Sequence, residues 1–122
     1  VRGAARASVR HVPFVKIGRA ILPPSYTLSV AVTGDARARR LNATYRKKQY
    51  APNVLAFPLS AKEGEIILNV QKAKREARSL GVTTRNRMAH LYVHAIFHLL
   101  GMRHGNAMEK KEGVVLKKFG LR

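Results

Sequence analysis

Four of the five histidines of this chain fall in one short stretch, His90-Leu-Tyr-Val-His94-Ala-Ile-Phe-His98-Leu-Leu-Gly101-Met-Arg-His104. His94 and His98 are four apart, so on a helix they occupy one face at neighbouring turns. Two imidazoles so placed can converge on a single ion. Zinc needs a third ligand at about 2.1 Å, at a tetrahedral angle to the first two. His90 is a poor candidate, because eight residues of helix place it about 12 Å from His98 along the axis. Gly101 can take a positive φ, break the helix and fold the chain back, which brings His104 over the same face. The expected metal site is therefore one zinc ion per chain held by His94, His98 and His104, on a helix followed by a glycine turn. Three protein ligands leave the fourth position for water, as in catalytic zinc sites. A lone i, i+4 pair would read equally well as two histidines of an amphipathic helix; Gly101 and His104 shift the reading to a metal site. His90 reads as a packing residue or as one that supports a ligand.

Zinc protease helices carry Glu directly after the first His, as general base. Here that position is Ala95. A zinc peptidase is thereby disfavoured, and a phosphodiester becomes the better substrate. Charge points the same way. The 122 residues carry 24 Lys plus Arg against 6 Asp plus Glu, a formal net charge of +18. Self-repulsion of that size is relieved by a polyanion, and phosphate neutralisation supplies most non-specific affinity for RNA or DNA. An anionic membrane fits less well, because the basic residues are spread along the chain and not gathered on one amphipathic helix. No apolar run approaches the roughly 20 residues of a membrane span. There is no cysteine, so disulfides and thiolate metal sites are excluded.

The elements that must position these residues follow from periodicity. His11 to Leu22 reads as a helix ending at Pro23-Pro24. Tyr26 to Thr33 alternates and is β-branched, a strand. Gly34-Asp35 offers a turn and an N-cap for a helix over Ala36 to Arg46, with Ala38, Leu41 and Tyr45 on one face. Asn53 to Phe57 is a short strand closed by Pro58, Ser60 to Gly64 a loop, and Glu65 to Val70 another strand. Gln71 to Leu80 is a basic helix stopped by Gly81. Thr83 or Thr84 caps the histidine helix, which runs to about Leu100. Asn106 caps a last helix reaching Phe119. The expected fold is a small α+β domain over residues 1–122, a mixed sheet packed with helices. The hydrophobic fraction of 46% is enough for its core. Residues 1–12 read as a basic arm that lies on RNA or a frayed terminus. The acid-free, Arg-rich opening VRGAARASVR also loosely matches an organellar transit segment. The protein is expected in the cytoplasm, or in a mitochondrion or plastid if that segment is a transit peptide.

Two blocks together resemble the YbeY family, endoribonucleases that act in ribosomal RNA maturation. Leu41-Asn-Ala-Thr-Tyr45-Arg46-Lys-Lys48, followed by Pro52-Asn53-Val54-Leu55-Ala56-Phe57-Pro58, is similar to the family's LNxxYRxKDxPTxVLSFP. His94 to His104 is similar to its HGxxHLxGYDH, and Gly64-Glu65-Ile66 to its GDI. The order is right, and the resemblance covers roughly residues 26 to 119. Ala95 stands for a Gly, Met102-Arg103 for the Tyr-Asp pair before the last ligand, Gln49 for an Asp and Ala56 for a Ser.

The resemblance implies a zinc-dependent endoribonuclease of ribosomal RNA maturation or ribosome quality control. It also implies ribosomal RNA, ribosomal particles and ribosomal proteins as partners. It makes Arg46 the phosphate-binding or catalytic partner of the metal. The chemistry agrees, because a guanidinium is always charged and grips phosphate oxygens bidentately. From spacing alone Arg46 would read as a solvated residue at a helix end. Arg37, Arg39, Arg40, Lys47, Lys48, Lys72, Arg75 and Arg78 are the expected RNA contacts. The alternative is a non-catalytic ribosome-assembly factor with a structural zinc, a reading that the missing Tyr-Asp pair favours.

Overall fold

The computed structural model describes the backbone of residues 2–3 and the whole of residues 12–121. Apart from Arg2 and Gly3, the Arg-rich stretch lies outside the described residues, as does the start of the first expected helix at His11. Among the described residues, four strands form one sheet: β1 (Arg2–Gly3), β2 (Thr27–Thr33), β3 (Val54–Ser60) and β4 (Glu63–Asn69). Their order is β1-β2-β4-β3. β1 and β4 run parallel to β2, and β3 runs antiparallel to β4. The helices are α1 (Phe14–Ile21), α2 (Asp35–Arg46), α3 (Val70–Leu80), α4 (Thr84–Leu99) and α5 (Asn106–Lys118). This is the mixed-sheet α+β fold expected from the pattern.

The period-2 alternation of the strands decides which face carries the core. Val30 and Val32 of β2 and Ile66 and Leu68 of β4 point to one face and are buried there with α1, α4 and α5. α4 is the central element. Met88, Ala89, Leu91, Tyr92, Val93, Ala95, Ile96 and Phe97 are all buried. Tyr92 is fully enclosed, yet its hydroxyl donates to the Phe14 carbonyl at 2.8 Å, so its own oxygen is not stranded. The Phe14 ring meets the Tyr92 ring edge-on at 4.8 Å, which ties α1 to α4.

Several boundaries differ from the sequence expectation. β3 continues through Pro58 to Ser60, and the expected loop over Ser60–Gly64 is a hairpin whose turn is only Ala61-Lys62. Pro58 is tolerated because β3 is an edge strand, where a missing N–H interrupts no ladder on the open side. Val70 is the first residue of α3, not the end of a strand. Gly34, not Asp35, is the N-cap of α2, and Asp35 is spent elsewhere: Asn69 and Arg75 donate to its carboxylate. Gly105, not Asn106, precedes α5 as its N-cap. Thr83 caps α4 as expected, accepting from the Asn86 N–H at 3.1 Å.

The segment between α2 and β3 is fastened by side chains that satisfy its carbonyls. Asn42, fully buried, donates to Tyr50 O, Lys72 Nζ to Ala51 O, and Asn69 to Pro52 O. Arg39 donates to Gln49 O at 3.1 Å. Lys47 closes α2 in the left-handed conformation, φ 56°. A residue other than glycine in that conformation costs about 1–2 kcal/mol, so the fastened loop must hold it. The result is a fixed exit for the residue before it, Arg46.

Candidate metal centre

His90, His94 and His98 form a stripe along α4, one turn apart. They are half-buried and line a cleft together with Arg87, Leu91 and Ala95 of the same helix. The cleft has a volume of about 1030 Å³ and lies between α4, α5, the first half of β3 and the end of α2. Gly101, at φ 89°, turns the chain after α4; its N–H donates to His98 O and the Met102 N–H to Phe97 O, closing the helix end. His104 is carried back over the α4 stripe, as the glycine suggested. The three rings crowd together at steep angles to one another, with centroids 4.5 to 4.7 Å apart.

The nitrogens decide what the cluster is for. His98 Nε2 lies 3.0 Å from His94 Nε2 and 3.2 Å from His104 Nε2. One ring nitrogen carries at most one proton, so it can donate to only one of these neighbours. Some lone pairs in the cluster therefore face each other. A cation at their meeting point removes that conflict. Tetrahedral zinc at about 2.0–2.1 Å from each nitrogen sets neighbouring ligand nitrogens about 3.3–3.4 Å apart, close to the separations here. The ligating atoms of the three side chains lie within 4.8 Å of one another. The residues present fit a metal ion.

Glu112 completes the arrangement, and sequence reasoning missed it. It sits on α5 with 4% exposure. Its Oε2 is 2.6 Å from His94 Nδ1 and its Oε1 is 3.0 Å from His90 Nε2. An ionised carboxylate only accepts, so His94 Nδ1 must carry the proton. His94 Nε2 is then left as a lone pair aimed into the cluster, the tautomer a metal needs. The signal was present. Glu112 falls between Met108 and Leu116 at i, i+4, i+8, on the buried face of an amphipathic helix. A carboxylate there must have a partner.

Burial, together with the His94 and His104 rings beside it, holds the pKa of His98 below the ordinary imidazole value. A hydrogen bond with the Met102 backbone opposes this only in part. His98 is thereby biased toward the neutral form that can coordinate. His90 does not join the cluster and serves the outer layer through Glu112.

Arg46 is exposed and lines the same cleft as the three histidines. The other basic residues singled out from sequence separate into two groups. Arg75 is paired with Asp35 at 2.8 and 2.9 Å, Lys72 clasps Ala51, and Arg39 holds Gln49. Arg37, Arg40, Lys47, Lys48 and Arg78 are exposed. Arg103, where the resemblance had an Asp, is also exposed.

The comparisons with known proteins identify a family. The family model "Endoribonuclease YbeY" matches residues 7–120. A Polynucleobacter asymbioticus protein of that name is 37% identical over 112 residues, which cover 84% of this chain and 72% of that protein. An Aquifex aeolicus protein of the same name is 40% identical over 104 residues, covering 75% of this chain and 69% of its own length. One from Bordetella petrii is 42% identical over 89 residues, 69% of this chain and 57% of that protein. A solution structure of a Thermotoga maritima protein shares the fold, with a TM-score of 0.68 over 93% of this chain and 83% of the other at 20% identity. The chain belongs to the YbeY endoribonuclease family.

Proposed function

We propose that this protein is a zinc-dependent endoribonuclease that cuts ribosomal RNA during its maturation. The observation that carries the reading is the convergence of His94, His98 and His104 Nε2 atoms in a cleft that Arg46 also lines. His94, His98 and His104 would hold one zinc ion. When bound, the ion supplies Lewis acidity toward a phosphoryl oxygen and lowers the pKa of water. The rest is done by the chain's own groups. Arg46 binds non-bridging phosphate oxygens and neutralises the charge that builds on the phosphorus centre. Glu112 keeps the proton of His94 on Nδ1 throughout. Asn53 and the first residues of β3, Val54 to Ala56, also line the cleft and give the substrate backbone an edge to lie against. The formal charge of +18 supports a polyanionic substrate.

Metal quantitation combined with cleavage of ribosomal RNA tests the reading. Wild type is expected to contain about one zinc per chain and to lose cleavage with the metal. Cleavage that persists in metal-free protein would overturn the mechanism. Zinc without any metal-dependent cleavage would favour an assembly factor with a structural metal.

A further inference from the structure

The sheet has a second face, opposite the core, and α2 covers only part of it. Ala31 and Thr33 of β2, Glu65 and Ile67 of β4, and Phe57 and Leu59 of β3 line a groove there of about 1050 Å³. Its wall is one stripe of α2, Arg37, Leu41 and Tyr45, spaced i, i+4, i+8. The inner residue Ala38 is packed away, but Tyr45, which the helical pattern assigns to the same buried face, is 67% exposed. Its ring meets the Phe57 ring edge to face at 5.5 Å, a contact that occupies at most one face of Tyr45. Leu59 beside them is 58% exposed.

The exposed Tyr45 and Leu59, beside the half-buried Phe57, form an apolar patch of the kind that something covers. The charges around it say what. Arg37 and Lys74 line the groove, and Arg40, Lys47 and Lys48 are exposed on α2 and its end. Glu65 is the one acid on the described lining. Tyr45 is also joined directly to Arg46, which lines the metal cleft on the other side of β3. Exposed aromatic rings flanked by cations are the recognition chemistry of unpaired nucleobases, with the rings stacking on bases and the cations following the phosphates.

We propose that this groove is a second binding site, which stacks unpaired bases of single-stranded RNA on Tyr45 and Phe57 and hands the strand over the β3 edge to Arg46 and the metal cleft. The proposal rests on RNA being the substrate, but not on the metal chemistry.

The test is binding of a short single-stranded oligoribonucleotide carrying 2-aminopurine, measured on the metal-loaded protein. Fluorescence quenching reports stacking, and the absence of tryptophan from the chain keeps the emission window clear. Wild type quenches the probe. Tyr45→Ala weakens binding about 5- to 150-fold, the range for loss of one base–aromatic stack. Tyr45→Phe keeps the ring and binds within about twofold of wild type. Phe57→Leu repeats the loss of quenching, and melting curves check that both variants are folded. An RNA of the same length with abasic sites binds wild type at least as weakly as the intact RNA binds Tyr45→Ala.

Equal binding of abasic and intact RNA, or no change in Tyr45→Ala, overturns the proposal. So does a groove whose Tyr45→Ala variant loses a ribosomal protein while keeping the RNA. Cleavage is followed in parallel on the same oligonucleotide. Quenching without cleavage would fail the nuclease reading alone; cleavage without Tyr45-dependent quenching would fail this one alone.

Discussion

The Oε2 atom of Glu112 lies 2.6 Å from Nδ1 of His94 and fixes which nitrogen of that ring is free. The second carboxylate oxygen is taken by His90, so both acceptors of this buried group are used inside the protein. Glu112→Gln keeps the volume but removes the charge, and its amide cannot accept from both rings through two oxygens. We expect zinc affinity to fall about 10- to 100-fold, the usual effect of losing a partner behind a ligand. Competition against a chromophoric chelator at neutral pH measures it. Affinity equal to wild type would show that His94 is oriented by packing alone.

Arg46 and His98 line one cleft, but their loss should look different. His98→Ala removes the imidazole whose Nε2 faces both other ligands, so metal content and cleavage disappear together. Arg46→Ala leaves all three imidazoles in place. Zinc stays at about one per chain, while cleavage falls about 10²- to 10³-fold, as for removal of one preorganised donor to a developing anion. Being exposed, Arg46 should contribute no more than about 0.5 kcal/mol to stability. Metal analysis and single-turnover cleavage on the same preparations distinguish the two. Loss of zinc from Arg46→Ala would remove it from the phosphate-binding role.

The convergence of His94, His98 and His104 was legible because its determinants are local. Spacing of four on a helix, a glycine with positive φ and a third histidine three residues later need no knowledge of the rest of the fold. Glu112 was not, since it reaches His94 across 18 residues of sequence and only the packing of α5 on α4 joins them. Its place on an apolar stripe was the available clue. Pro58 and Gly64 looked like breakers, and only the sheet order shows that Pro58 sits on an edge. Tyr45 has the spacing of a core residue, yet α2 ends over the open part of the sheet. Charges were the least legible. Arg75 and Arg78 look alike in sequence, but only Arg75 stands opposite Asp35.

That ion pair makes stability depend on pH at the acid end. Hydrogen bonds from Arg75 and Asn69 hold the Asp35 carboxyl at about 2, against an ordinary value of 3.8. A depressed native pKa contributes stability in full above the unfolded value. The contribution fades as pH falls from about 4 toward 2. The side chains are 58% and 37% exposed, so water screens the pair and the effect is small. Asp35→Asn should therefore melt a few degrees below wild type at pH 7, and the gap should close as the pH approaches 2. A gap that stays constant across that range would mean that Asp35 acts through packing and not through its charge.

Gly64 links the sheet to the metal helix through lack of a side chain. A Cβ there would lie 2.5 Å from the Tyr26 hydroxyl and 2.9 Å from Leu99, the residue after His98. Gly64 is buried in β4, opposite Pro58, so little room exists for backbone relief. Gly64→Ala should cost about 1 kcal/mol, the low end for overpacking, because the atoms in the way are side-chain ends that can shift. Pushing Leu99 should also displace His98 and weaken zinc binding. Leu99→Ala in the same chain opens space on the clashing side. The double variant should regain part of the zinc affinity lost by Gly64→Ala, although Leu99→Ala alone destabilises the core. Chelator competition and thermal melting on the three variants give the coupling directly. Strictly additive losses would mean that Gly64 supports the sheet without acting on the metal helix.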